Sequence, residues 1–226
     1  MHKLESFALS CGSKIEKPHI EKSFFPVKHK KYICVSRSLL SQSKDYDYFD
    51  DVIFHIYPYL QKNNIEIIEI GNSNKSPLFY TNNFKNLTRF QTNYILSKCK
   101  LFFGNYNFDF NIASYYNKIT ICPSNLDYEE TFKPYWSEES NCKILMPASD
   151  LKPSFSDQEN PKTINSVMPE TIACSILDSL KINHNISKIK TTYLGEEYNN
   201  QIMDIIPGGH NLQPIKGPVN IRMDKN

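Results

Sequence analysis

Between Leu101 and Pro123 the chain reads LFFGNYNFDFNIASYYNKITICP, an apolar run closed by Gly104-Asn105, a stretch with helical spacing, and a second apolar run. Strand, helix and strand in this order make a βαβ unit, and such a unit sets a helix N-terminus beside the carboxyl end of a strand. The unpaired N–H groups of the first helical turn and the helix dipole both favour an anion there. The segment lacks the full GxGxxG fingerprint. It is nonetheless the strongest pointer in the chain to a phosphate-bearing ligand.

The same alternation recurs on both sides. Tyr32 to Ser36 reads as a strand, and Asp47 to Lys62 as a helix with apolar residues at Phe49, Val52, Ile53, Ile56, Tyr57 and Leu60, interrupted by Pro58. Ile65 to Ile70 is a second strand closed by Gly71-Asn72. Downstream, Phe90 to Lys98 is helical, Leu101 to Phe103 a strand, Asp109 to Tyr116 a helix and Ile119 to Cys122 a strand. An aromatic loop follows from Ser124 to Ser140, with Tyr128, Phe132, Tyr135 and the single tryptophan, Trp136. Lys143 to Met146 is expected to be a last short strand, and Pro169 to open the helix PETIACSILDSLK. Short buried strands alternating with helices specify an α/β fold: a three-layer, Rossmann-like parallel sheet with helices on both faces. Residues 1–30 read as an irregular N-terminal arm or short hairpin, 31–188 as the domain, and 189–226 as a C-terminal extension with two strand-like pieces.

With 26 basic against 24 acidic residues, the net charge of +2 supplies no basic field of the kind that holds nucleic acid. The run Lys28-His29-Lys30-Lys31 reads as the solvated entrance to the first strand. Six cysteines occur without a CxxC pair or a zinc-type histidine spacing, and Cys34 and Cys122 fall inside apolar strands. These features predict a reduced, cytoplasmic protein with no metal site. No apolar run reaches the roughly 18–20 residues of a membrane span, and the N-terminus lacks the apolar core of a signal peptide.

Several motifs then point to one family. Gly104-Asn105 opens a helix that carries Ile112-Ala113, and Lys118 precedes the closing strand. Asn86 to Lys98 supplies a preceding helix, and Ile164-Asn165-Ser166-Val167-Met168-Pro169-Glu170 leads into the last one. Over about residues 32–182 the chain resembles the nucleotide-sugar-binding C-terminal half of GT-B glycosyltransferases. The likeness is to the heptosyltransferase-like enzymes of glycosyltransferase family 9, whose hallmark is Gly-Asn/Asp-Asp-Ser/Thr-Gly-x-x-His-Leu-Ala. The sequence departs from that hallmark at Asn107-Phe108, which stands for the Ser/Thr-Gly pair, and at Asn111, which stands for the histidine. A ring at Phe108 reshapes a place where close approach of a diphosphate calls for glycine.

The resemblance implies a metal-independent glycosyltransferase, with a nucleotide-diphosphate sugar as substrate, no cofactor and a glycan acceptor. It implies that Lys44 and then Arg37, in the loop after the first strand, offset the charge of the leaving diphosphate. Gly71, Gly104, Asn105, Asn107 and Asn111 line the sheet edge and the helix N-terminus, Glu130 is the candidate for ribose hydroxyls, and Tyr135 or Trp136 for stacking on the base. A catalytic base is not assigned. Since GT-B enzymes carry the acceptor side on another half, a second subunit or a homo-oligomer is the expected partner. The alternative is a binding or assembly module that keeps the half-fold without donor chemistry. A nucleotide hydrolase or lyase fits less well, because His55, His184 and His210 accompany no Ser or Cys elbow.

Overall fold

The structure, a computed structural model, describes residues 1–38, 41–71, 76–84, 86–124, 129–147, 156–188 and 191. The sequence readings at Asn72, at Asp127-Tyr128 and in the C-terminal extension lie outside the described residues. Residues 1–190 form one compact unit.

Six parallel strands make one sheet: β1 (Tyr32–Ser36), β2 (Glu66–Ile70), β3 (Asn82–Phe84), β4 (Leu101–Gly104), β5 (Ile119–Pro123) and β6 (Cys142–Leu145). Their spatial order is β3-β2-β1-β4-β5-β6, every pairing is parallel, and the central β1 is registered by Cys34 on Ile68 of β2 and on Phe102 of β4. This is the doubly wound order of Rossmann-like sheets, in which the chain reverses its direction of travel between β1 and β4. All five residues of β1 and all four of β4 are buried. That explains why both read as continuous apolar runs and not as alternating ones.

Helices cover both faces. The α2 helix (Phe49–Lys62) buries Phe49, Val52, Ile53, Ile56 and Leu60, a stripe with helical spacing, and carries Asp50 and Asp51 in its first turn and Lys62 in its last. Pro58 removes one backbone donor within it, on a helix whose Phe54 side is exposed. Together with α6 (Pro169–Ser179), which starts on proline at its first turn, α2 packs on Ile33, Val35, Ile67, Phe103 and Ile121. The opposite face is covered by α3 (Arg89–Lys98) and α4 (Phe108–Tyr115), which pack on Cys34, Ile68, Phe102 and Cys122. Thr88 and Gln91 form a reciprocal capping box at the start of α3.

Three elements were not read from the sequence. The N-terminal segment contains α1 (Lys3–Cys11), bounded by a His2–Glu5 capping box and by Gly12 in the left-handed conformation at φ 63°. The edge strand β3 is only three residues long and half-buried throughout. The expected aromatic loop contains a single-turn helix, α5 (Glu129–Phe132).

Candidate functional site at the reversal of strand order

The crevice lies where the carboxyl ends of β1 and β4 diverge into separate loops, the position at which doubly wound sheets take their ligands. Gly104 ends β4 so close to β1 that a Cβ there would collide with the Ser36 carbonyl oxygen. Gly71, at the end of β2 with φ +95°, is similarly hemmed in, because a Cβ would run into the Ser38 hydroxyl. Gly104 is therefore fixed by the backbone of β1, and Gly71 by its left-handed conformation.

Beneath the crevice sits a buried polar cluster. Ser36 Oγ donates to Asp109 Oδ2 at 2.8 Å and accepts from Asn107 Nδ2 at 3.1 Å. Arg89 Nη1 donates to Asp109 Oδ1 at 2.9 Å, and the guanidinium lies 4.3 Å from the centre of the Phe108 ring. Asn107 is the N-cap of α4: its Oδ1 accepts the Phe110 N–H at 3.0 Å. Burial pushes the Asp109 carboxyl above its ordinary value, against the opposing pull of the Ser36 hydroxyl and the Arg89 guanidinium. The helix start that favours an anion thus already holds a carboxyl group of its own.

A second buried cluster braces the loop after β1. Arg37 donates through Nε to Glu69 Oε1 at 2.9 Å and through Nη2 to the same oxygen and to the Ser76 carbonyl. Glu69 also accepts from the Leu78 N–H at 3.0 Å and from Asn83 Nδ2 at 2.7 Å. Asn105 is 1% exposed, and both ends of its amide are engaged: Oδ1 accepts the Tyr46 N–H at 3.1 Å while Nδ2 donates to Asp45 Oδ1 at 3.2 Å. Its backbone N–H donates to the Ser36 carbonyl at 3.2 Å. Asn105 therefore pins the β1 loop to β4.

Of the residues singled out in the sequence, Gly71, Gly104, Asn105 and Asn107 meet at this edge, and Arg37 stands there in its pair with Glu69. Lys44 lies half-buried in a 3-10 turn (Gln42–Lys44), one residue before the Asp45 that Asn105 holds. Asn111 donates to the Asn107 carbonyl at 3.0 Å and faces an aromatic cavity, as does Phe108. Glu130 is exposed on α5, outside the buried clusters. Sequence reasoning missed Ser36, Arg89 and Asp109 as site residues. A carboxylate in the first turn of a helix after a strand was the visible signal for Asp109, but its partners come from two other elements.

All six cysteines are unpaired thiols. Burial raises those of Cys34, Cys122 and Cys142, so each stays protonated and behaves as an apolar side chain. Among the described residues no group of three or more His, Cys, Asp or Glu side chains is placed to hold a metal ion, and no helix is long and apolar enough to cross a membrane.

No family model matches the chain, and no curated protein matches it. Solved structures do. The dodecameric iron-containing glycosyltransferase TibC of enterotoxigenic Escherichia coli superposes with a TM-score of 0.55 at 11% identity, over 70% of this chain and 47% of its own. The ADP-heptose lipopolysaccharide heptosyltransferase II of E. coli gives 0.50 at 11% identity, over 69% of this chain and 48% of its own. A family 9 glycosyl transferase from Veillonella parvula gives 0.50 at 10% identity, over 78% and 50%. The chain spans about half the length of these structures. In fold, then, the chain is similar to about half of these heptosyltransferases: its α/β, Rossmann-like parallel sheet is the one they share.

Proposed function

We propose that the chain binds a nucleotide-diphosphate sugar at the crevice between β1 and β4 and takes part in transfer of the sugar to a glycan acceptor. The observation that carries this reading is the edge at the reversal of strand order: the carboxyl ends of β1 and β4, drawn together at Gly104 and Asn105, lead to the start of α4, whose Asp109 bonds Ser36 at the end of β1. Two structures of similar fold point the same way, a heptosyltransferase WaaC of E. coli with ADP, at a TM-score of 0.51, and TibC with ADP-D-beta-D-heptose, at 0.53. In the proposal the first N–H groups of α4 meet the diphosphate. Lys44 and Arg89 offset its charge, and Arg37 fixes the loop that carries Lys44. As an acceptor hydroxyl attacks the anomeric carbon, the bond to the diphosphate oxygen breaks and the cations stabilise the leaving group. The scheme calls on no metal. Glu130 remains the candidate for the ribose hydroxyls, and a second subunit or a further copy is the proposed source of the acceptor side.

The cluster beneath the crevice favours a second reading, a binding module without transfer, because Asp109 and the capping Asn107 amide compete with an anion for the same helix start. One measurement separates the two. A ligand that binds only the folded state raises the melting temperature. Thermal-shift titration with ADP, GDP, UDP and CMP and their sugar conjugates is expected to give a rise with one diphosphate, lost in Lys44→Ala. No rise with any of them, in a sample that melts cooperatively, overturns the donor reading in favour of the module.

A further inference from the structure

A cavity of about 540 Å³ lies between α4, the N-terminal segment and the loop after α5, within the size range of small-molecule sites. Part of its lining is aromatic. Phe108 and Tyr115 come from one face of α4, at i and i+7, and Tyr135 and Trp136 from the loop after α5. The rest is rich in hydrogen-bond acceptors. Asn93 is 4% exposed and donates through Nδ2 to the Glu21 carbonyl at 2.8 Å, while its Oδ1, equally buried, has no partner. Asn111 has given one N–H to the Asn107 carbonyl, which leaves its Oδ1 as an acceptor. The Glu21 carboxylate and the His19 ring are exposed on the N-terminal segment, and neither has a partner among the described residues. His2 brings no spare donor: it accepts the Leu4 N–H on Nδ1, so its Nε2 carries the proton and donates to the Lys133 carbonyl at 2.8 Å.

We infer that this cavity binds a neutral saccharide, one pyranose unit laying its C–H face on Trp136 and donating hydroxyls to Glu21, Asn93 Oδ1 and Asn111 Oδ1. Several acceptors with few donors beside them call for a ligand that supplies O–H groups of its own. An amide oxygen buried without a donor is costly, and a ligand hydroxyl relieves that cost. A carboxylate strengthens the bond it receives by its charge. A pyranose joins both requirements, an apolar face for the ring and a belt of hydroxyls around it. A nucleobase has one narrow polar edge and would leave most of these acceptors unmet. A quaternary ammonium ion meets competition: Lys17 Nζ lies 4.8 Å from the centre of the Tyr115 ring and the Arg89 guanidinium 4.3 Å from that of Phe108, so two of the four rings already hold a positive charge. The site needs neither a diphosphate nor a transfer step, so it stands apart from the donor reading and suits the binding-module reading as well.

Trp136 is the only tryptophan in the chain, so its fluorescence reports occupancy of this cavity without labelling. Titration of the full chain with cellotriose, maltotriose, mannotriose and chitotriose is expected to give a saturable change with at least one of them. Glu21→Gln, at an exposed side chain, should weaken that saccharide about threefold to tenfold, and Asn93→Leu about tenfold or more. The hydroxyl-free ring 2-methoxytetrahydropyran should give no saturation. Absence of a saturable change with all four saccharides up to tens of millimolar in folded protein, or unaltered affinity in Glu21→Gln, overturns the assignment. A response to adenosine or choline with none to the saccharides also overturns it. If Asn93→Leu does not melt cooperatively, Glu21→Gln decides alone. These saccharides carry neither base nor phosphate, so failure here leaves the nucleotide-sugar titration standing, and the reverse holds.

Discussion

Where α2 and α6 cover the sheet, the core is mostly aliphatic around the rings of Tyr46, Phe49 and Phe103, and is completed by those helices with the neighbouring Ile164, Val167 and Ile186. Where α3 and α4 cover it, the core is smaller, four cysteines belong to it (Cys34, Cys99, Cys122 and Cys142), and Ile20, Phe25 and Val27 of the N-terminal segment pack against it. The first face follows from the amphipathic stripes of two helices. The second is composite, because the segment that precedes β1 folds back to finish it and, in doing so, lines the aromatic cavity. A face sealed by its own helices is committed to packing, while a face finished by a separate segment keeps space in which a ligand can be held.

Substitutions sharpen this contrast. Phe103→Ala on the α2 and α6 side removes a fully buried ring that lies 5.0 Å from Phe49, and a loss of about 3–5 kcal/mol is expected in urea unfolding. A loss below about 1 kcal/mol would mean that this face is no better closed than the other. Phe25→Ala removes a half-buried ring that meets Phe84 edge-on at 5.4 Å. It should cost about 1 kcal/mol, in line with typical single substitutions. It should also change the emission of Trp136 if the N-terminal segment acts as one cover. An unchanged spectrum would separate the two parts of that segment.

The smallest expected effect concerns Asp109. Its carboxyl titrates above its unfolded value, so the native state holds the proton more tightly than the unfolded chain does. Its contribution to stability is therefore fully present below the unfolded value near pH 3.9 and is lost as pH rises through the higher folded value. Asp109→Asn removes that dependence, and its melting temperature should rise relative to the natural chain between pH 4 and pH 7. A fall over that range would show that the ionised carboxylate, held by Arg89 and Ser36, is worth more than its burial costs.

Much of the sheet was legible because its strands are short apolar runs and its helices carry regular stripes: β1, α2, β4 and α6 were each located within two residues by periodicity and by signals such as Pro169. The edge strand β3 was not, since Asn82-Asn83-Phe84 has neither alternation nor a continuous apolar run and owes its place to pairing with Ile68 to Ile70. The α1 helix escaped because its amphipathicity is weak, with Ala8 its only buried residue. At the candidate site, glycines and strand ends were visible in the sequence, but which polar groups satisfy one another was not. Arg37 read as a candidate for the diphosphate, second to Lys44, yet its partner Glu69 belongs to the neighbouring strand, and Asp109 finds Arg89 across twenty residues. Side-chain pairing between elements leaves no local pattern to read.

The reversal of strand order also bears on how the chain closes. Cys34 meets Ile68 of β2 across a separation of 34 residues, and meets Phe102 of β4 across 68. A doubled loop costs about 0.6 kcal/mol more in closure entropy, which favours the β1–β2 pair as the earlier contact. The two walls of the crevice therefore come together at the greater distance along the chain, and a ligand that touches both would stabilise the pairing that is harder to close.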